Sequence, residues 1–232
     1  MRLVERSLDW TGAMPLSGLA SAAETVMAGD IVVLKRAFPE ERMDRCKRAL
    51  LDWQARHPES NPERLRAHAH WWRRDVNPPS KTKHLFETFC LVFDKATDPL
   101  AEVAAVFESM TGIWHALTGR GETMRPDADG RMLRPQVIHY PRGGGFFDWH
   151  RHDLQPQGIG LIVGLSKCGR DFATGGTRFR AGGTEIDTAE AHDIGDICLF
   201  RYDLDHSVGE VDGGRPLEWG GTGRWTMVLP LM

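Results

Sequence analysis

The sequence predicts an α+β protein, with helices in its first part and a β-sandwich or barrel in its second. Three observations carry this. Runs in the first 130 residues place apolar side chains at three- and four-residue steps, the spacing of one buried helix face. From about residue 131 the texture changes to short apolar or alternating runs separated by Gly and Asp turn signals. The chain has 232 residues, which suits a single domain with one sizeable core.

The elements follow in order. "MPLSGLASAAETVMAG" (14–29) is Ala-rich, ends in Gly and reads as a helix. "DIVVLKRAF" (30–38) is a short apolar strand. "FPEERMDRCKRALLDWQARH" (38–57) opens with Pro and acids and closes with basic residues, as the helix dipole favours. Its Met43, Cys46, Leu50 and Trp53 mark one buried face. Residues 54–83, rich in Arg, Pro and His, read as an irregular covering loop. "HLFETFCLVFD" (84–94) is a second strand, and "DPLAEVAAVFESMTGIWHALTG" (98–119) a third helix stopped by Gly119. Strands are then expected in "RPQVIHYP", "GIGLIVGLS", "GGTRFRAG", "TEIDT", "GDICLFRYDL" and "GRWTMVLPLM". Residues 1–130 are thus mainly helical, and 131–232 form the β core.

Composition narrows the function classes. A net charge of −3 lacks the basic excess that binding to a phosphate backbone needs, so no nucleic-acid partner is expected. No apolar run approaches the ~18–20 residues of a membrane span. "MRLVERSLDW" carries charges where a signal peptide needs its apolar stretch, so the expected location is cytoplasmic. The four cysteines are widely spaced and form no CxxC pair, which removes zinc-ribbon and thioredoxin-like readings.

Chemistry concentrates in "HYPRGGGFFDWHRHD" (139–153). His150 and His152 are two apart, so on a strand they face the same side. His206, after the apolar strand "GDICLFRYDLD", is the best distant partner. Imidazoles gathered on one side of a barrel hold a cation and leave its other side open for a co-substrate. "HAHWW" repeats the spacing with His68 and His70, but it has neither a glycine-framed strand context nor a third partner.

Several features come in a set order. A strand ends at Tyr140, a glycine turn follows, and Phe147 precedes His150 by three residues. "GGT" then leads into a strand, "IGDICLF" leads to "DHSVGEV", and "GRWTMVLPL" closes the series. The succession resembles the Fe(II)- and 2-oxoglutarate-dependent oxygenases, in their prolyl-4-hydroxylase-like branch. It implies a double-stranded β-helix (a jelly-roll, cupin-like barrel) with the N-terminal helices packed against it. It also implies Fe(II), 2-oxoglutarate as co-substrate, dioxygen, and oxidation of a C–H bond with release of succinate and CO2. His150 matches the first iron histidine, His206 the distal one, and Arg224 the residue that clamps the distal carboxylate of 2-oxoglutarate. Thr226 and Tyr140 can supply hydroxyls to that carboxylate.

The sequence departs from the pattern at two places. The family has His-x-Asp, and here the Asp position holds His152, with Asp153 one residue late. Either His152 binds, or a bulge brings in Asp153, or iron binding is weak or absent. The stretch "VDGGRPLEWGGT" between His206 and Arg224 is longer than is usual, with Arg215 as a fallback for Arg224. Asp148, Trp149 and Arg151 adjoin the iron in sequence, and Trp71, Trp72, Arg73 and Arg74 fall in the covering loop. Both groups are expected near the mouth, where they would suit a small, anionic substrate such as an amino acid or biosynthetic intermediate. The rival readings are a cupin-like three-histidine dioxygenase that needs no 2-oxoglutarate, a barrel isomerase or epimerase, and a catalytically silent binding protein. The sequence does not specify an oligomeric state.

Overall fold

The computed structural model describes residues 1–8, 16–60, 70–76, 82–93 and 98–232, apart from the side chains of residues 16 and 17. Its elements are β1 (Leu3–Ser7), α1 (Leu16–Met27), β2 (Ile31–Lys35), α2 (Glu40–Ala55), β3 (Trp71–Val76), β4 (His84–Cys90), α3 (Ala101–Thr118), β5 (Gln136–Tyr140), β6 (Gly145–His150), β7 (Ile159–Gly164), β8 (Thr177–Ala181), β9 (Thr184–Asp187), β10 (Ile197–Arg201), β11 (Asp205–Val211) and β12 (Arg224–Val228). The strands join in the order β1-β2-β10-β7-β12-β5-β4-β6-β11-β8-β9, with β3 paired to β4. The sheet curls into the expected double-stranded β-helix barrel, and the helices lie against one of its outer faces.

The helices form where their sequence directs. In α2, Glu40 and Glu41 occupy the positive N-terminal turn, and Met43, Cys46, Leu50 and Trp53 are buried as expected. Lys47 is buried beside them and paired with Asp171 at 3.0 Å. α3 stops at Gly119, whose φ of +68° lets its N–H reach the His115 carbonyl. Between helices and sheet lies the main apolar core, which includes Leu19, Trp53, Phe107, Trp114, Val163, Trp225 and Met227. Each fully buried aliphatic or Phe side chain there contributes about 1.5–3 kcal/mol against exposure. β7, "IGLIVG", is buried on both faces, which explains its unbroken apolar run.

The structure adds two strands to the first half. Among its described residues, β1 and β3 join the expected β2 and β4 beside the three helices. Within the supposed covering loop 54–83, residues 71–76 form β3, while 61–69 (with His68) and 77–81 lie outside the described residues. Trp72 is buried in the helix-facing core against Phe89, and Arg74 is bonded to Glu87, so neither stands at a mouth. No helix among the described residues is long and apolar enough to cross a membrane.

Candidate metal centre

Strand alternation decides what faces the barrel interior. Arg224 and Tyr140 are direct partners across β12 and β5, so their side chains share a face, and Thr226 shares it two residues on. The alternate residues Trp225 and Met227 enter the helix-facing core. The interior encloses a cavity of about 200 Å³. Its lining includes His150, His152, His206, Arg224, Thr226, Tyr140, Thr177, Tyr202 and Gln136. At Gly160 the wall has no room for a Cβ, because the Phe200 ring occupies that space.

The glycine turn sets up the histidines. Gly143 has φ +88°, and a Cβ there would meet the Pro216 carbonyl, so only glycine allows the turn to pack on the loop after β11. The N–H groups of Gly143 and Gly144 both donate to the Val211 carbonyl and lock β6 onto β11. Between Phe147 and His150, β6 carries one residue more than β11 does opposite it, a bulge. The bulge puts Phe147 and His150 on the same side, their rings stacked at 3.9 Å.

His150 and His206 are direct cross-strand partners, with ring centroids 4.2 Å apart. Each uses Nδ1 on a main-chain carbonyl: His150 on Asp148 and His206 on Leu204, both at 2.8 Å. A carbonyl only accepts, so Nδ1 carries the hydrogen and Nε2 presents a lone pair. β6 ends at His150, so His152 reaches the group from beyond the strand and not by strand alternation. His152 makes no hydrogen bond among the described residues and is positioned by stacking on Tyr202, at 4.5 Å and 14°. One ring nitrogen from each of the three lies within 4.8 Å of the others. Asp153, exposed beside them, does not join the group.

Electrostatics keep the rings uncharged. Burial, and then the neighbouring His150, push His206 down to about 3. Burial likewise lowers His150 to about 4 and lowers His152. Neutral imidazole is the ligand form, so this donor set suits a borderline divalent cation such as Fe(II) or Zn(II).

The closed end of the cavity differs. Arg224 is 3% exposed, and its Nη2 donates to Thr177 Oγ1 at 2.7 Å. Among the described residues it has no carboxylate partner, and its burial lowers its pKa. A buried guanidinium with spare donors is a ready site for an anion's carboxylate. Tyr140 beside it is fully enclosed, and burial raises its phenol. Arg215 is exposed in the turn after β11 and does not line the cavity.

The residues expected to touch substrate lie elsewhere. Trp149 points to the outer face, under the guanidinium groups of Arg178 and Arg180 at 5.2 and 4.3 Å. Asp148 lines a separate surface groove with Lys83 and Arg178, and Arg151 is exposed. Sequence reasoning missed Thr177, Tyr202 and Gln136. Alternation from Tyr140 would have reached Gln136, and alternation from Phe200 would have reached Tyr202.

No protein-family model and no curated protein matches the sequence. Solved structures do match the fold. An oxidoreductase of the 2OG-Fe(II) oxygenase family from Burkholderia pseudomallei aligns with a TM-score of 0.57 and 13% identity, over 98% of this chain and 94% of its own. A Pseudomonas putida prolyl-4-hydroxylase aligns at 0.56 and 11% identity, over 92% and 97%. A prolyl hydroxylase from Trichoplax adhaerens, solved with a hypoxia inducible factor peptide fragment, aligns at 0.59 and 12%, over 94% and 91%. At these identities the likeness is one of fold.

Proposed function

We propose that this protein is a non-haem iron oxygenase that uses 2-oxoglutarate to oxidise, most simply to hydroxylate, an unactivated C–H bond of a small molecule. One observation carries the reading: a buried Arg224, with no carboxylate partner among the described residues, shares a single cavity with three converging neutral imidazoles. The fold of the three solved relatives supports it.

His150, His152 and His206 would hold Fe(II), and Arg224, helped by Thr226 and Tyr140, would hold the distal carboxylate of 2-oxoglutarate. Bound together with dioxygen, that pair supplies the oxidising power, with the co-substrate leaving as succinate and CO2. The chain's own residues orient and exclude. The Asp148 and Leu204 carbonyls fix two imidazoles in the tautomer that ligates. Thr177 aims the Arg224 guanidinium. Phe147, Phe200 and Val208 keep water from the interior, which strengthens the charge interaction at Arg224.

The test is an anaerobic titration of metal-free protein with Fe(II) and then 2-oxoglutarate, followed by visible absorption. The charge-transfer band of a chelated keto acid is the expected outcome. A second reading has its own support, because His152 and not Asp153 joins the cluster. Three neutral ligands also suit a dioxygenase that does without 2-oxoglutarate. Iron binding with no band, and no effect of Arg224→Gln on any ligand, would favour that reading.

A further inference from the structure

The cavity has two unlike ends. Arg224, Thr177, Tyr140 and Thr226 at the closed end are all buried. At the open end Gln136, Ile138, Val228, Pro230 and Tyr202 are only partly covered, and His152 is exposed. Val228 and Arg224 share one strand face four residues apart, which separates their Cα atoms by about 13 Å. Among the described residues lining the cavity, Arg224 has the only side chain with a permanent charge. The flanking Arg151 and Asp153 are opposite in sign, exposed, and not part of the lining.

An ionised substrate group drawn into this open end would lose its hydration and, with the metal's two charges met by the dianion 2-oxoglutarate, gain no side-chain counter-charge from the described lining, which is unfavourable. Gln136 offers something milder. Its amide carries both donor and acceptor, and it has no hydrogen-bond partner among the described residues. Gln157, the other amide in the wall, is already committed: its Nε2 donates to the Ile159 carbonyl, and its Oε1 accepts from the Leu231 N–H. The whole cavity, at about 200 Å³, is small beside ordinary ligand pockets of ~300–1,000 Å³.

Resting on the oxygenase reading, we propose that the open end selects a compact, uncharged and largely apolar carbon skeleton with at most one neutral hydrogen-bonding group, which Gln136 recognises. Free amino acids, carboxylates and amines are rejected. This replaces the anionic substrate that the arginines flanking the motif had suggested.

The test uses full-length protein loaded with Zn(II), so that binding is read without turnover. Calorimetry first measures 2-oxoglutarate. With that saturating, it then compares cyclohexanecarboxamide, cyclohexanecarboxylate and cyclohexylmethylammonium. The carboxamide should bind at least about tenfold more tightly than either ion. Gln136→Leu should weaken the carboxamide about fivefold and leave 2-oxoglutarate unchanged. Val228→Lys, which places one charge at the open end, should turn the preference towards the carboxylate. The ring carried on the short uncharged peptide acetyl-cyclohexylalanine amide separates two sources of the same chemistry: tighter binding of the peptide assigns a side chain, weaker binding a free molecule. Failure of 2-oxoglutarate to bind overturns the oxygenase reading and this inference with it. Binding of 2-oxoglutarate followed by equal or tighter binding of an ion overturns the substrate class alone. So does absence of binding by every probe, or a ranking that Val228→Lys leaves untouched.

Discussion

On the cavity side of the sheet, His150 and His206 each give one ring nitrogen to a main-chain carbonyl and leave the other without a hydrogen-bond partner among the described residues. On the helix-facing side, His139 commits both. Its Nδ1 lies 2.7 Å from Glu87 Oε2 and its Nε2 2.8 Å from the Thr222 carbonyl, with the ring stacked on Trp225 at 4.2 Å. Both partners are acceptors, so only the doubly protonated ring satisfies both bonds. Glu87 also accepts from Arg74 and Gln54. Burial alone would raise the Glu87 carboxyl, but the bonds from His139 and Arg74 outweigh it and hold it below its usual range. Histidines on different strands of one sheet thus take opposite arrangements, one set with a ring nitrogen left open and the other closed into a buried network with Glu87. The second nitrogen's partner decides which.

The largest effect expected from this contrast is on metal binding. His150→Ala and His206→Ala should each abolish stoichiometric Fe(II) binding, a loss beyond the about 10–100-fold that follows from removing a supporting partner. His139→Ala should leave the stoichiometry of the folded protein intact. Equilibrium dialysis with metal analysis checks all three, and retention of one iron per chain by either of the first two variants would remove the assignment.

Next comes stability. Glu87 and His139 are both fully buried. Glu87→Leu strands the His139 ring and the Arg74 guanidinium without their carboxylate, and should cost about 3–5 kcal/mol. In a chain of this size that lowers Tm by roughly 10 °C. Urea denaturation measures it. A loss under about 1 kcal/mol would mean that the network contributes little to stability and that the contrast between the two faces is overdrawn.

The third effect sharpens the cavity side itself. His152 lacks the carbonyl anchor of its two partners and relies on Tyr202. His152→Ala should still weaken Fe(II) by more than Asp153→Ala, whose exposed carboxylate should matter by less than about fivefold. The opposite ranking in a competition titration would make Asp153 the ligand.

How far the sequence revealed this follows from the same local rules. His206 and Arg224 stood out because each sits beside an apolar strand with glycine punctuation, and the barrel strands were legible for that reason. β1 and β3 were not. "LVERS" and "WWRRDV" carry charges because, among the described residues, β1 ends the sheet and β3 pairs with β4 alone, and such edges tolerate charge. Asp148 and Trp149 looked like site residues because they precede His150, yet the strand points them outward. The bulge that brings Phe147 and His150 to one side leaves no mark in composition. Thr177 could be found only by knowing that β8 lies within reach of Arg224, a fact of long-range pairing.

The smallest effect concerns a third kind of buried histidine. His192 is 3% exposed, and its Nδ1 has no partner among the described residues. Its Nε2 faces the Asp196 carbonyl. Burial, and then the positive charge of Arg224, push it down to about 3. In the unfolded chain it titrates near 6.5. Between those values the unfolded state holds a proton that the folded state does not, so stability falls as pH drops through that window and is unaffected above it. His192→Leu removes this dependence. The slope of unfolding free energy against pH between about 4 and 6 should shrink by close to one proton, or about 1.4 kcal/mol per pH unit. Urea titrations of both proteins across that range measure it, metal-free throughout so that metal binding does not enter. An unchanged slope would mean that His192 takes up its proton inside the fold, which requires a partner for its second nitrogen and would move it into the class of His139.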